Sequence, residues 1–165
     1  MSHSVLLDTS FFIRLLNPDD KLHNNAKDYF KYFLENDIVI KISTISVAEY
    51  FVRGKIGELP LEKVQIIPFN IDHAVRAGEL ASIVFNKKSG SEDKFQDRKI
   101  ISNDTKLFTQ ADLDPSVTYF LTSDSECRKV YDIMASETKV SFEIIDLNNP
   151  YHEVFGKLDL QFDQE

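Results

Sequence analysis

The chain has 165 residues, 42% of them hydrophobic and 28% charged, with one cysteine and a formal net charge of −8. That length fits one domain able to bury about two-thirds of its unfolded surface. A single cysteine excludes a disulfide framework and points to a reducing, cytoplasmic compartment. No run is apolar for long enough to cross a bilayer and no signal-peptide pattern opens the chain, so no membrane association is expected; the acidic balance disfavours a protein that grips nucleic acid through a basic surface, unless bound cations neutralise its site.

In chain order, a β-rich run at 5–7 precedes helical periodicity over 9–17 and 22–36. A second run at 38–42 leads into a helix over 45–54, and a third at 65–69 into one over 71–86. The segment 86–97, NKKSGSEDKFQD, is markedly polar and reads as an exposed loop or mobile lid. A helix over 98–112 follows, then a run at 118–121, a helix over 125–136 and a run at 142–145. Strands alternating with helices imply a mostly parallel sheet of about five strands, covered on both faces. After Pro150 the character changes: KLDLQFDQE alternates apolar and polar residues, as an edge strand, a pairing segment or a disordered end would. The expected organisation is a domain over 1–148 and a tail over 149–165.

In open parallel sheets, ligands sit beyond the carboxyl ends of the strands. Asp8 closes the first run, Thr122-Ser123-Asp124 closes the fourth, and Glu49 lies in the first helical turns after the second. Each acid also has a plain structural reading. Asp8 and Asp124 are good helix N-caps, and Ser46-Val47-Ala48-Glu49 matches a capping box. Glu49 lies in a helix that is apolar on nearly every side, which predicts burial, with an ion pair to Arg53 as another outlet. In KIISNDTKLFTQAD, Asp104 interrupts a stripe formed by Ile100, Ile101, Leu107, Phe108 and Ala111, while Ser102, Thr105, Lys106 and Thr109 form the expected solvated face. Four such carboxylates repel one another unless cations neutralise them. Oxygen-only ligands suit Mg2+ or Mn2+, and zinc is disfavoured by the shortage of spaced Cys and His.

The segments LLDTSFFIRLL, TISVAEYFVRG, ISNDTKLFTQA and YFLTSD, in that order over 5–146, resemble the four motifs of PIN-domain ribonucleases. The resemblance implies a three-layer α/β/α sandwich. It also implies a site of Asp8, Glu49, Asp104 and Asp124 holding Mg2+ or Mn2+, with Thr122 orienting a carboxylate. The activity would be hydrolysis of RNA phosphodiesters. Many small proteins of this kind are VapC-type toxins, which implies a cognate antitoxin as partner, with a homodimer as a further possibility. Arg14, Arg53 and Lys106, together with Lys55 and Arg128, are candidates for the RNA backbone because they lie near the motifs. Part of the face of Phe11, Phe12, Leu15 and Leu16 could meet an antitoxin helix or a second copy. A noncatalytic PIN-fold scaffold is the main alternative. A haloacid-dehalogenase-type phosphatase is disfavoured, because Ser10 stands where that family needs its second Asp.

Overall fold

A computed structural model describes residues 3–88 and 97–156, and side chains over 3–87 and 103–156. Five strands, β1 (Ser4–Leu7), β2 (Val39–Ser43), β3 (Gln65–Ile67), β4 (Val117–Thr122) and β5 (Glu143–Asp146), form one sheet in the order β3-β2-β1-β4-β5. All pairings are parallel. The central strand β1 is buried at all four positions, which explains why it reads as an unbroken apolar run rather than an alternating one.

The helices are α1 (Thr9–Leu15), α2 (His23–Glu35), α3 (Thr44–Phe51), α4 (Ile71–Lys88), α5 (Asp97–Leu113), α6 (Ser125–Glu137) and α7 (Tyr151–Phe155). Successive side chains of β1 point to opposite faces and seed two cores. Val5 and Leu7, with Ile40, Ile42 and Leu121, pack on Phe11 and Phe12 of α1 and on Tyr29 and Phe33 of α2. Leu6 and Phe120 pack on Leu80 and Val84 of α4, Leu107 and Phe108 of α5, and Val130 and Met134 of α6. The result is the three-layer α/β/α sandwich. The chain builds outward from β1 to β3, returns to place β4 against the other side of β1, and so leaves a topological switch point between β1 and β4. The crevice at their carboxyl ends is where such sheets bind ligands.

Three local expectations are corrected. Helix α3 starts at Thr44, capped by the Ser43 hydroxyl, which accepts from the Ile45 amide. Glu49 therefore lies in the second turn and takes no part in a capping box. That helix is also less buried than its composition suggests: Phe51 is 46% and Val52 79% exposed. On α5 the supposed solvated face turns inward: Thr105 and Thr109 are buried and Lys106 half-buried, and the neighbouring Gln110 is buried too. Thr109 donates to the Thr105 carbonyl at 2.7 Å and Gln110 to the Ile67 carbonyl at 3.3 Å. These bonds offset part of the cost of burying the polar groups that make them, although Gln110 Oε1 has no partner.

The polar segment 86–97 is helical at both ends, because α4 runs to Lys88 and α5 begins at Asp97. Its remainder lies outside the described residues, as does the alternating stretch 157–165. Beyond Pro150 the described chain forms α7, whose Phe155 ring stacks on Tyr32 of α2 with centroids 4.5 Å apart.

Candidate functional site

The crevice is built from strand ends. Where β1 stops, Asp8 adopts an extended backbone (φ −83°, ψ 176°) and caps α1, its Oδ1 accepting from the Phe11 amide at 3.1 Å. The same oxygen accepts from the Ser10 hydroxyl at 2.6 Å, and Oδ2 accepts from the Thr122 hydroxyl at 2.6 Å. Where β4 stops, Asp124 caps α6 by accepting from the Glu126 amide at 2.8 Å. The two strand ends are laced together. The Ser123 amide donates to Ser10 Oγ at 2.9 Å and the Asp124 amide to Thr122 Oγ1 at 3.0 Å. Asp8 thus both caps a helix and faces the crevice.

Glu49 approaches from α3. Its Oε2 accepts from the Thr9 hydroxyl at 2.5 Å and its Oε1 from the Asn103 side-chain amide at 3.2 Å. Asp104 enters from α5. Its Oδ2 is buried and has no hydrogen-bond partner. Burial pushes the Asp104 carboxyl up to about 7, with repulsion from Asp124, and then from Asp8 and Glu49, adding to the rise; a hydrogen bond from Cys127 acts the other way. Burial also raises Asp8 to about 6, against the opposing bonds from Ser10, Thr122 and the Phe11 amide and with repulsion from Asp124. The four carboxylates singled out in the sequence therefore sense one another across a single crevice. Each comes from a different segment of the chain.

The cations are placed unequally. Arg14 forms an ion pair with Asp20 at 2.5 Å on the turn between α1 and α2. Lys106 is half-buried two residues past Asp104. Arg53 is exposed and lines a groove of about 760 Å³ that runs from Thr9 and Glu49 between Ile13, Leu16, Tyr50 and Val52. A Cβ at Gly54 would meet the Tyr50 ring at 2.2 Å, so only glycine lets that ring lie across the chain and wall the groove. Cys127 is 1% exposed, and burial together with the neighbouring Asp104 pushes its thiol up, so it stays protonated. Sequence reading passed over Thr9, Ser10 and Asn103. Their signal was adjacency: each stands one or two residues from a candidate acid.

The donor set suits a hard divalent cation. It consists of carboxylates alone, and one buried oxygen lacks any partner. Among the described residues no three Asp, Glu, His or Cys side chains already converge on one point. The fit therefore rests on donor chemistry and the unpartnered oxygen, not on a closed cage. No helix among them is long and apolar enough to cross a membrane.

No protein-family model and no curated protein matches the chain. Solved structures do. VapBC2 from Rickettsia felis, crystallised on a DNA fragment from its promoter, aligns at 18% identity with a TM-score of 0.53, covering 86% of this chain and 98% of that one. DNA-bound VapBC from Salmonella typhimurium aligns at 12% identity and 0.50, covering 88% and 98%. VapC20 of Mycobacterium tuberculosis, a toxin that cleaves the sarcin–ricin loop, aligns at 17% identity and 0.51, covering 76% and 94%. At these identities the likeness is one of fold: the chain has the VapC-like PIN fold.

Proposed function

We propose that the protein is a divalent-metal-dependent endoribonuclease acting as the toxin of a toxin–antitoxin pair. The observation that carries this reading is Asp104, a half-buried carboxylate whose buried Oδ2 is unpartnered, facing three more carboxylates at the switch point of the sheet. A buried acceptor left unpaired costs about 1–3 kcal/mol, a cost that a bound cation would offset. The fold shared with an RNA-cleaving toxin agrees with it.

Asp8, Asp104 and Asp124 would hold Mg2+ or Mn2+, with Glu49 as a further ligand or the group that orients the attacking water. When bound, the metal supplies Lewis-acid activation of water and neutralises charge on the scissile phosphate. The remaining work falls to the protein. Ser10 and Thr122 fix both oxygens of Asp8, and their ties to the Ser123 and Asp124 amides hold the two strand ends in register. Such partners orient a ligand and tune its basicity. Arg53, exposed in the groove beside Glu49, is the best placed of the sequence-selected cations to meet an RNA phosphate. The groove itself suits the apolar side of an antitoxin helix, as the VapBC complexes of similar fold suggest.

The test is cleavage of a panel of structured and unstructured RNAs with Mn2+, with Mg2+ and with chelator, by wild type and Asp104→Asn. Cleavage should require metal. The variant should lose more than the ~10–100-fold typical of removing a partner of a metal ligand. Cleavage that persists in chelator, or equally in the variant, would refute the assignment. If no RNA is cut, titration with Mn2+ separates a narrow substrate range from the alternative of a noncatalytic scaffold, which would bind no ion.

A further inference from the structure

Glu49 differs from Asp8 and Asp124 in how it is held. Asp8 and Asp124 are helix caps, so an amide of their own segment holds each of them, with Ser10 and Thr122 adding donors to Asp8. Glu49 sits in the second turn of α3, and neither hydrogen bond to its carboxylate comes from that helix. Both come from side chains on other elements: Thr9, at the start of α1, donates to Oε2 at 2.5 Å, and Asn103, on α5, donates to Oε1 at 3.2 Å. A glutamate has three rotatable bonds, and a half-exposed one would sample several rotamers at the mouth of a crevice. Two donors on two oxygens remove that freedom.

Their chemistry is also selective. A hydroxyl and an amide are neutral, so they anchor the carboxylate without cancelling the charge a cation would need. A lysine or arginine at either place would cancel it. The amide orientation follows from the same logic, since a carboxylate accepts and only Nδ2 can face it. Asn103 also precedes Asp104 in the chain. The bond from Asn103 to Glu49 therefore ties α3 to the stretch of α5 that presents the unpartnered oxygen.

We infer that Thr9 and Asn103 are positioning residues that clamp Glu49 toward the other three carboxylates, and that divalent-ion binding depends on this clamp. The inference rests on the metal-site reading above. Removing partners of metal ligands typically costs ~10–100-fold in affinity. Thr9→Val and Asn103→Ala should each weaken Mn2+ binding, measured by calorimetric titration, by about tenfold within that range. Thr9 is half-buried and Asn103 exposed, so both variants should remain folded in chelator, with the melting midpoint lowered by no more than a few degrees. Thr9→Ser, which keeps the hydroxyl, should restore affinity to within about twofold of wild type. Asn103→Asp should be worse than Asn103→Ala, because it sets a like charge against Glu49.

The decisive arm is a double-mutant cycle. With Glu49→Ala already present, Thr9→Val and Asn103→Ala should cost nothing further in Mn2+ affinity. A purely structural role would leave their cost unchanged in that background, and that result would overturn the inference. So would a Thr9→Val, Asn103→Ala double variant that binds Mn2+ as tightly as wild type, with the metal site itself standing. A wild-type protein that binds no Mn2+ would overturn both the site and the clamp.

Discussion

The sheet buries polar groups at both of its rims, and the two rims treat a carboxylate in opposite ways. At the amino rim Asp114 lies just before β4. It pairs with the Lys41 ammonium, a residue 6% exposed in the middle of β2. Lys41 also donates to Ser116 Oγ at 2.7 Å, and Ser116 donates to Asp114 through its amide at 3.0 Å and its hydroxyl at 2.8 Å. Burial would raise Asp114, but Lys41 and Ser116 outweigh it and hold the carboxyl below its usual range. At the carboxyl rim Asp8 and Asp104 are held above it. One rim is compensated and serves the fold. The other keeps uncompensated charge, which is unfavourable for folding and useful only if something positive arrives. The difference lies in the partners as well as in the depth of burial, since Asp114 is more exposed than Asp8 and is the one with a cation beside it.

Breaking the compensated rim should have the largest effect on stability. Lys41→Met leaves Asp114 without its cation. A fully buried pair so broken costs about 3–5 kcal/mol, and since the Asp114 side chain is 25% exposed the expected loss is about 2–3 kcal/mol. In a chain of this size that lowers the melting midpoint by about 5–10 °C. Binding of Mn2+ should be unchanged. A stable Lys41→Met protein would mean that the two rims do not differ in the way described.

At the other rim the sign should reverse. Below about pH 4 the folded and unfolded chains both carry protons on Asp8 and Asp104. As the pH rises, the unfolded chain releases them first, while the folded chain keeps them until about 6 for Asp8 and about 7 for Asp104. Stability from these protons is therefore complete at low pH and lost as the pH climbs through that window. In chelator, the wild-type midpoint should fall between about pH 5 and 8, whereas Asp104→Asn should flatten that slope and melt about 3–6 °C higher at the upper end. Melting curves at both pH values decide it. A destabilised Asp104→Asn at high pH would show that the carboxylate is structural after all. The smallest effect is expected for Ser4→Ala, which loses only the 3.1 Å contact between hydroxyls of Ser4 and Ser116. That should cost about 0.5–1 kcal/mol, or 1–4 °C, with ion binding intact.

The sheet was legible in the chain because its strands are short apolar runs and the acids follow directly on β1 and β4, where a parallel sheet places its ligands. The order of the strands, with β1 at the centre and β4 on its far side, was not legible in the chain, because pairing between distant segments leaves no mark in a single sequence. Two helices misled for physical reasons. Thr105 and Thr109 look solvated in sequence, yet both are buried on α5, where the Thr109 hydroxyl donates to the Thr105 carbonyl. Helix α3 is apolar all round, which normally means burial, but one side of it walls an open groove. A face meant for another molecule has the same composition as one meant for the core, and a single sequence does not separate them. Lys41 gave no signal either, since one lysine in VIKIS looks like a solvated strand residue until Asp114 is found across from it.

The aromatic docking of α7 also has a spectroscopic consequence. The chain has six tyrosines and no tryptophan, so its ultraviolet emission is tyrosine emission. Tyr29, Tyr32 and Tyr119 lie around Phe155, Tyr151 of α7 itself packs on Tyr29 and Tyr32, and Tyr131 packs on Phe108 and Phe142. Tyr50 alone among them walls the groove, its hydroxyl on Glu58 at 2.9 Å. Release of α7 would therefore change the signal of most of the emitters at once, whereas a molecule settling into the groove would reach the detector through a single ring. The protein carries two separable optical reporters, one for its own closure and one for its company.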